Sequence, residues 1–262
     1  MSGLHATIVG SSPAIPRAGR SCSAYLIEAG HVPFVIDFGS GAFASLRRIL
    51  EPETIGAVVI SHMHADHFID LIPFRYYLKY GARANRRKIP LYLPPGGEAL
   101  LRRLTDAFVR EPEGDFLGEV YDLRTYDPSG RLALGEAMLR FAPTTHYIPT
   151  YAVRCDRGAV SVTFSSDTAP CEAVVALARA TDLFICEATL PPGAVMPGAA
   201  GHSTAAEAGA MASAAGVRRL VLSHWPAETT PEELEREARA TFAGSLAVAD
   251  DLDRFDVVAA PG

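Results

Sequence analysis

The chain of 262 residues has no excess of basic residues and no apolar run of membrane-spanning length. It carries 24 Lys and Arg against 30 Asp and Glu, and this net charge of −6 argues against general binding to a nucleic-acid backbone, which requires a basic face. Even the apolar segment 183–186 is soon interrupted by Glu187 and Pro191, so we expect no membrane span. The residues from Met1 to Ala6 lack the charged start and apolar run of a signal peptide, so no leader is expected.

Cysteine is also scarce, with four scattered residues and no CxxC pair. The sequence therefore predicts reduced thiols in a cytoplasmic protein, and disulfides are the less favoured alternative. The hydrophobic content of 48% is sufficient for one large α/β domain or two small ones. Because no linker, low-complexity tract or internal repeat divides the chain, we expect a single domain over residues 1–262.

Apolar patterning predicts mainly strands in the first two thirds of the chain and alternating strands and helices afterwards. Two packed sheets with helices outside would account for this order. Two capping boxes, at 204–207 and 230–233, predict helices that end at Gly216 and Gly244. A strand at 246–249 is expected to be the last element.

The most informative segment contains four side chains that can bind metal, His62, His64, Asp66 and His67. A short apolar strand precedes them at 55–60, and an amphipathic helix is predicted soon after them. A chance run of histidines usually lies in a polar loop or tail, whereas this one ends a core strand, which favours a metal site. Ligands of this kind suit zinc, and they also allow manganese, iron or cobalt.

Three further residues, His146, Asp167 and His224, each follow a predicted strand. A single His or Asp at a strand end is usually structural. Three of them together with the opening motif indicate one shared site at the rim where strands end.

Taken in order along the chain, the four residues of the opening motif and these three further residues resemble the dinuclear motif of the metallo-β-lactamase superfamily. The resemblance implies a four-layer αβ/βα sandwich of two mixed β-sheets, with two divalent metal ions. Zinc is the first expectation, and Mn²⁺ or Fe²⁺ are the alternatives. The family pattern implies one ion held by His62, His64 and His146, a second held by Asp66, His67 and His224, and Asp167 bridging the two. It also implies attack by a hydroxide that bridges the ions.

Two more stretches narrow the resemblance to ribonuclease Z-type phosphodiesterases, namely 186–189 (Cys-Glu-Ala-Thr) and 201–204 (Gly-His-Ser-Thr). The resemblance implies that His202 lies beside the scissile phosphate and that Glu187 orients it, so that the pair moves a proton to the leaving group. The catalytic prediction is thus Asp66, Glu187 and His202. Considered separately, Glu187 would be a strand-end cap and His202 a solvated residue. The first His of the family motif is Cys186 here, which we expect to be a buried strand residue.

Only 20 residues separate His146 from Asp167. In that interval, transfer-RNA-processing members of the branch carry a long arm that clamps RNA. Its absence and the pI near 5.8 argue against stable nucleic-acid binding. We therefore predict hydrolysis of a small phosphodiester, such as a cyclic nucleotide or related cyclic phosphate.

Several alternatives stay open. A lactonase or thioesterase could use the same metal core, and a transfer-RNA 3′-end endonuclease is less favoured. An inactive metal-binding scaffold would lack a ligand, and none is missing. A di-iron protein of this superfamily usually has a carboxylate in place of His64. Dimers are common in the resembling family, so a homodimer is also open. The basic run 83–88 is expected to be a solvated loop.

Overall fold

The computed structural model describes residues 3–81, 87–108, 115–194 and 201–258. Most of the basic run 83–88 lies outside these ranges. The described chain forms two seven-stranded sheets. Among its helices, none has the length and apolar character needed to cross a bilayer.

The first sheet is built mainly from the first half of the chain. Its strands are β1 (Leu4–Gly10), β2 (Ala24–Ala29), β3 (Val32–Ile36), β4 (Ala57–Val59), β5 (Ile89–Leu93), β6 (Tyr121–Thr125) and β14 (Arg254–Val257). They lie in the order β14-β1-β2-β3-β4-β5-β6. Pairing is antiparallel from β14 to β3 and parallel from β3 to β6, so the sheet is mixed.

The second sheet repeats this plan with the remaining strands. They are β7 (Arg131–Leu134), β8 (Ala137–Pro143), β9 (Tyr151–Arg157), β10 (Val160–Phe164), β11 (Leu183–Glu187), β12 (Arg219–Ser223) and β13 (Ser245–Val248). Their order is β13-β12-β11-β10-β9-β8-β7. Strands β7 to β10 pair antiparallel and β10 to β13 pair parallel.

Three apolar clusters separate four layers. The central cluster joins the facing sides of the two sheets, with Tyr25 and Phe34 from the first sheet and Val153 and Ile185 from the second. A second cluster packs the outer face of the first sheet against α1 (Ala42–Leu46), α2 (Leu71–Tyr80) and α3 (Gly97–Asp106). A third packs the second sheet against α4 (Glu172–Leu177), α5 (Ala205–Ala215) and α6 (Pro231–Arg239). The expected sandwich of two mixed sheets with helices outside is confirmed.

Both capping boxes form, with Thr204 and Thr230 accepting from the backbone N–H of Glu207 and Glu233. Helix α5 ends as predicted at Gly216, which adopts a left-handed conformation with φ 63°. The predicted extension of α6 to Gly244 is wrong, because the helix ends at Arg239. Just beyond it the Thr241 hydroxyl donates to the carbonyl of Ala206 in α5, which ties the chain to the neighbouring helix.

The chain also contains one strand more than the patterning predicted. Strand β14 follows the expected last strand and pairs antiparallel with β1. Its exposed and buried residues alternate, with Phe255 and Val257 buried and Arg254 and Asp256 exposed. This alternation was visible in the sequence, but it covers only four residues, which is short for such a signal.

Candidate metal centre and active site

The loops that follow β4, β8, β10 and β12 converge at one end of the sandwich. After β4 the chain stays extended through His64, at φ −80° and ψ 145°, and then forms a short helical turn at Ala65–His67. Because the backbone changes conformation between His64 and Asp66, the first two histidines and the following Asp66 and His67 enter different groups. The local conformation therefore divides the motif into two halves.

The first group contains His62, His64, His146 and Asp167, whose nitrogen and oxygen atoms all lie within 4.8 Å of one another. Nδ1 of His64 is 3.2 Å from Nε2 of His62 and 3.0 Å from Nε2 of His146. Oδ2 of Asp167 is 3.7 Å from Nε2 of His62. Nδ1 of His146 donates to the carbonyl of Gly201 at 2.6 Å, which directs its Nε2 toward the group.

The second group contains Asp66, His67, Asp167 and His224. Oδ2 of Asp66 is 3.4 Å from Nε2 of His67 and 3.3 Å from Nε2 of His224. Oδ1 of Asp167 is 3.3 Å from Nε2 of His67 and 3.6 Å from Nε2 of His224. Asp167 thus presents Oδ2 to the first group and Oδ1 to the second, which is the arrangement of a bridging carboxylate.

Two buried atoms of these groups lack the partners that buried polar atoms normally have. Nε2 of His67 and Oδ1 of Asp167 have no hydrogen-bond partner among the residues that the structure describes. Leaving such an atom unsatisfied costs about 1–3 kcal/mol. Divalent cations would satisfy both atoms, and a set of imidazole and carboxylate ligands without thiolate fits zinc, manganese or iron. The residues present therefore fit a pair of divalent ions.

Burial and neighbouring charges both shift the pKa values of the ligands. Burial, with the neighbouring His67, holds the pKa of His62 well below its usual value, so its imidazole is neutral. Burial would raise the pKa of Asp66, but the hydrogen bond from His224 and the adjacent imidazole of His67 lower it instead. The pKa of Asp167 is likewise held well below its usual range by the adjacent histidines, against the effect of burial. Both carboxylates are thus ionised, as metal ligands must be.

Asp37, at the end of β3, is a functional residue that the sequence analysis missed. It is fully buried, and its Oδ2 accepts hydrogen bonds from His67 Nδ1 and Ser61 Oγ, both at 2.7 Å. The bond to Nδ1 fixes the tautomer of His67 and leaves Nε2 facing the second group. Asp37 follows a strand, as Asp167 does, but a single Asp at a strand end is usually structural, so this position alone did not identify it.

Strained backbone surrounds the site. Asp37, Ser166 and His224 have φ values of 59°, 53° and 54°, in the left-handed region that residues other than glycine rarely adopt. Each lies just after a strand that delivers a side chain to the site. Such conformations persist where surrounding contacts enforce them, and they concentrate at functional sites.

Glu187, at the end of β11, forms a hydrogen-bonded pair with His202. Its carboxylate is 1% exposed, and Oε1 accepts from the backbone N–H of Thr168 at 2.6 Å and from His202 Nδ1 at 2.9 Å. Oε2 accepts from the Thr189 hydroxyl at 2.5 Å and from the backbone N–H of Ser203 at 3.3 Å. This many donors hold the carboxylate in one orientation.

His202 connects this pair to the two groups of candidate metal ligands, which we call the metal groups. Burial alone would lower the pKa of His202, but the hydrogen bond and charge of Glu187, with Asp167, raise it to about 9. Its Nδ1 lies 4.0 Å from Oδ2 of Asp167. The Thr189 hydroxyl donates a hydrogen bond to Glu187. Its oxygen also lies 2.8 Å from Nδ1 of His224 and can accept a hydrogen bond from it. The predicted catalytic pair therefore adjoins the predicted ligands.

A cleft of about 490 Å³ opens onto these residues. It is lined by Pro13, Ala14, Ile15, His64, Ala65, Asp66, Tyr147, Asp167, Thr189, His202, His224, Pro226 and Glu228. Cys186 is fully buried in β11 and does not line the cleft, in agreement with its interpretation as a strand residue. The interval between His146 and Asp167 is occupied by β9, a tight turn and β10, so it holds no separate arm.

Known proteins share this architecture. The family model "Beta-lactamase superfamily domain" matches residues 34–225. An uncharacterized protein of Mycobacterium tuberculosis is 31% identical over 253 residues, covering 96% of this chain and 91% of that protein. A ribonuclease Z of Mycobacterium bovis is 28% identical over 278 residues, covering 97% and 98%. The crystal structure of the metallo-beta-lactamase fold protein YhfI from Bacillus subtilis matches with a TM-score of 0.87 at 24% identity, covering 97% of this chain and 99% of that one. The chain therefore belongs to the beta-lactamase superfamily and is a metal-dependent hydrolase.

Proposed function

We propose that this hydrolase cleaves small phosphodiesters, such as cyclic nucleotides or related cyclic phosphates. The observation that carries the proposal is the buried Glu187–His202 pair beside Asp167. A phosphodiester has a leaving oxygen that needs a proton, and a carboxylate-oriented imidazole next to the anionic site can supply it. An acyl hydrolase of the same superfamily generally does not need this pair.

The two groups of ligands would hold two divalent ions, and zinc is the first expectation among Zn²⁺, Mn²⁺ and Fe²⁺. His62, His64 and His146 would hold one ion, Asp66, His67 and His224 the other, and Asp167 would bridge them. Bound there, the ions supply Lewis acidity toward a phosphoryl oxygen and lower the pKa of a water. Asp37 orients His67, and the Gly201 carbonyl orients His146, so both imidazoles present Nε2.

The role of His202 follows from its contacts. Glu187 binds Nδ1, which leaves Nε2 as the atom that can serve the leaving oxygen in the cleft. Because the pKa of His202 is raised to about 9, the imidazole carries its proton at neutral pH and can act as a general acid. The donors around Glu187 hold its carboxylate in a fixed position against Nδ1 of His202.

Two observations favour a small substrate over RNA, although one relative is named ribonuclease Z. The chain carries a net charge of −6, whereas RNA binding requires positive potential. The interval after His146 contains only the β9–β10 hairpin, which leaves no arm to clamp a large substrate.

A hydrolysis panel with metal-loaded protein tests the proposal. The panel contains bis(p-nitrophenyl) phosphate, several cyclic nucleotides, a lactone, a thioester and a precursor transfer RNA. We expect turnover of the phosphodiesters. On the cyclic nucleotides, whose alkoxide leaving group needs a proton, we expect a loss of more than about a hundredfold in His202→Ala, with metal content unchanged by elemental analysis. His31→Ala, at an exposed hairpin residue, is the matched control.

Other results would lead to other functions. Turnover of only the lactone or the thioester would support an acyl hydrolase. Efficient processing of the transfer RNA would refute the argument from the missing arm. Full activity in His202→Ala would remove the proposed general acid.

A further inference from the structure

Beyond the ligands and His202, the cleft is lined by apolar groups, the Thr189 side chain and one carboxylate. The apolar residues are Pro13, Ala14, Ile15, Ala65, Tyr147 and Pro226, and the carboxylate is Glu228. Of the described residues that line the cleft, none is Lys or Arg. Among the lining residues that the structure describes, positive charge would thus be confined to the deep end of the cleft, where the metal groups would hold two ions.

We infer that the cleft selects diesters with a single phosphate and an uncharged, flat organic group, and that Glu228 excludes substrates carrying a second phosphate. This inference rests on the proposed phosphodiesterase function. The metal groups and His202 accommodate one phosphoryl group. Any further phosphate on the substrate would extend into a region where the described lining residues offer no Lys or Arg and one negative charge, Glu228.

The apolar wall is suited to a planar ring. Tyr147 is 58% exposed, and its ring lies 5.0 Å from the ring of His146 and 5.9 Å from that of His202. Gly201 allows this placement, because a Cβ there would lie 2.5 Å from the Tyr147 ring. Ile15 is 77% exposed in the same cleft. Exposed large apolar side chains beside a polar reaction site favour binding of an aromatic or other flat group.

The loop that carries Ile15 is held in place by hydrogen bonds at both of its ends. The Asp251 carboxylate accepts from Ser11 N at 3.0 Å, from Ser11 Oγ at 2.7 Å and from Ser21 N at 2.6 Å. Arg17 within the loop lies 3.4 Å from the Trp225 ring and donates to Ser11 Oγ and Asp250. Arg20, the second cation of the loop, also pairs with Asp250. Both cations of the loop are therefore already paired, and the apolar wall is formed before substrate binds.

Glu228 differs from the other acidic residues of the cleft. Asp66 and Asp167 belong to the metal groups, whereas Glu228 is an exposed carboxylate in the segment after His224. It repels an additional phosphate and can accept a hydrogen bond from a hydroxyl or amino group of an uncharged substituent. Glu228 therefore affects the binding of the substrate and not the cleavage of the bond.

A matched pair of chromogenic substrates tests the inference. The first is the p-nitrophenyl ester of thymidine 5′-phosphate, and the second is the same compound with an added phosphate on the 3′ oxygen. In both, the oxygen of water bonds to the 5′ phosphorus, the bond to the p-nitrophenyl oxygen breaks, and p-nitrophenolate and a proton are released. The two substrates therefore share the reaction and differ only in charge at the nucleoside.

We expect kcat/KM to favour the first substrate by about fivefold to tenfold, mainly through KM, because a dianion near a carboxylate is repelled even in water. Glu228→Gln should reduce this preference by about threefold or more, and Glu228→Lys should abolish or reverse it. Glu235→Gln, on the exposed face of α6, is the matched control and should leave the preference unchanged. Calorimetric Kd values for thymidine 5′-phosphate and thymidine 3′,5′-bisphosphate should show the same order without turnover.

Two results would overturn the inference. Equal kcat/KM values for the two substrates in the wild type would show that the cleft does not sense the second phosphate. A preference unchanged in both Glu228 variants would show that this carboxylate is not responsible. If neither substrate were hydrolysed while a lactone or thioester was, the phosphodiesterase proposal itself would fail, and this inference with it.

Discussion

Replacing Glu187 by Gln would test the electrostatic coupling between Glu187 and His202. Burial alone would lower the pKa of His202, whereas the hydrogen bond and charge of Glu187 and Asp167 raise it to about 9. A hydrogen bond to a charged group contributes about 1.5–3 kcal/mol, and one pKa unit corresponds to about 1.4 kcal/mol. A neutral Gln should therefore lower the pKa of His202 by about one to two units.

The direction in which the alkaline limb of the pH profile shifts follows from the proposed role of His202. A general acid must be protonated, so activity that depends on His202 is present below its pKa and is lost as the pH rises through it. In the wild type this loss is expected near the raised pKa of about 9. In Glu187→Gln the alkaline limb should therefore begin about one to two pH units lower.

The assay is the pH dependence of kcat for the wild type and the variant on a cyclic nucleotide that the wild type hydrolyses. The alkoxide leaving group of such a substrate needs a proton, whereas p-nitrophenolate leaves without one. Urea unfolding should accompany this assay, because Gln offers one oxygen where the carboxylate accepts from Thr168, His202, Thr189 and Ser203. We expect the variant to lose about 1–3 kcal/mol of stability and to stay folded. An alkaline limb at the wild-type position in a folded variant would refute the coupling between Glu187 and His202.

Three further perturbations address other parts of the structure. Asp37→Asn should weaken metal binding about tenfold to a hundredfold, measured by chelator competition, because His67 loses its orienting carboxylate. Asp251→Ala should lower the free energy of unfolding by about 2 kcal/mol and raise KM more than it changes kcat, because the loop at Ile15 loses its anchor. A thiol reagent should label Cys171 alone in the native protein and all four cysteines after denaturation. Burial raises the pKa of Cys22 and Cys155 to about 12 and that of Cys186 further.

Each of these has a result that would contradict it. Unchanged metal affinity in Asp37→Asn would mean that packing alone orients His67. An unchanged KM in Asp251→Ala would show that anchoring the loop at Ile15 does not affect substrate binding in the cleft. Fast labelling of a second thiol at neutral pH would show that one of the buried cysteines opens to solvent on the timescale of the reaction.

The sequence predicted the layers of the fold because its apolar segments have clear periods and bounds. The strand expected at 246–249, for example, is β13 at Ser245–Val248. Errors occurred where local pattern gives little information. Helix α6 ends early where Thr241 bonds to a neighbouring helix, a tertiary contact that no local rule contains. Strand β14 is paired with β1 from the far end of the chain, and so short a segment cannot be recognised without its partner.

The site was easier to predict than its supporting residues. The seven predicted ligands form the two groups of the family pattern, because their residue types are rare and their order is distinctive. Asp37 and Thr189 carry no such mark, since an Asp or Thr at a strand end usually only closes the strand. Their roles depend on the 2.7 Å contact to His67 and the 2.8 Å contact to His224. Such contacts are set by packing between strands and are not encoded in spacing along the chain.

The origin of each group explains why metal binding and proton transfer can be tested separately. Both metal groups combine residues after β4, in the first sheet, with residues that follow strands of the second sheet. Glu187, His202 and most of their partners come from the second half of the chain alone. Removing the His202 imidazole therefore leaves the ligands from both sheets in place. Thr189 links the two sets by hydrogen bonds, because its hydroxyl lies between Glu187 and His224. Substitution of Thr189 should consequently affect both metal binding and turnover, whereas substitution of His202 should affect turnover alone.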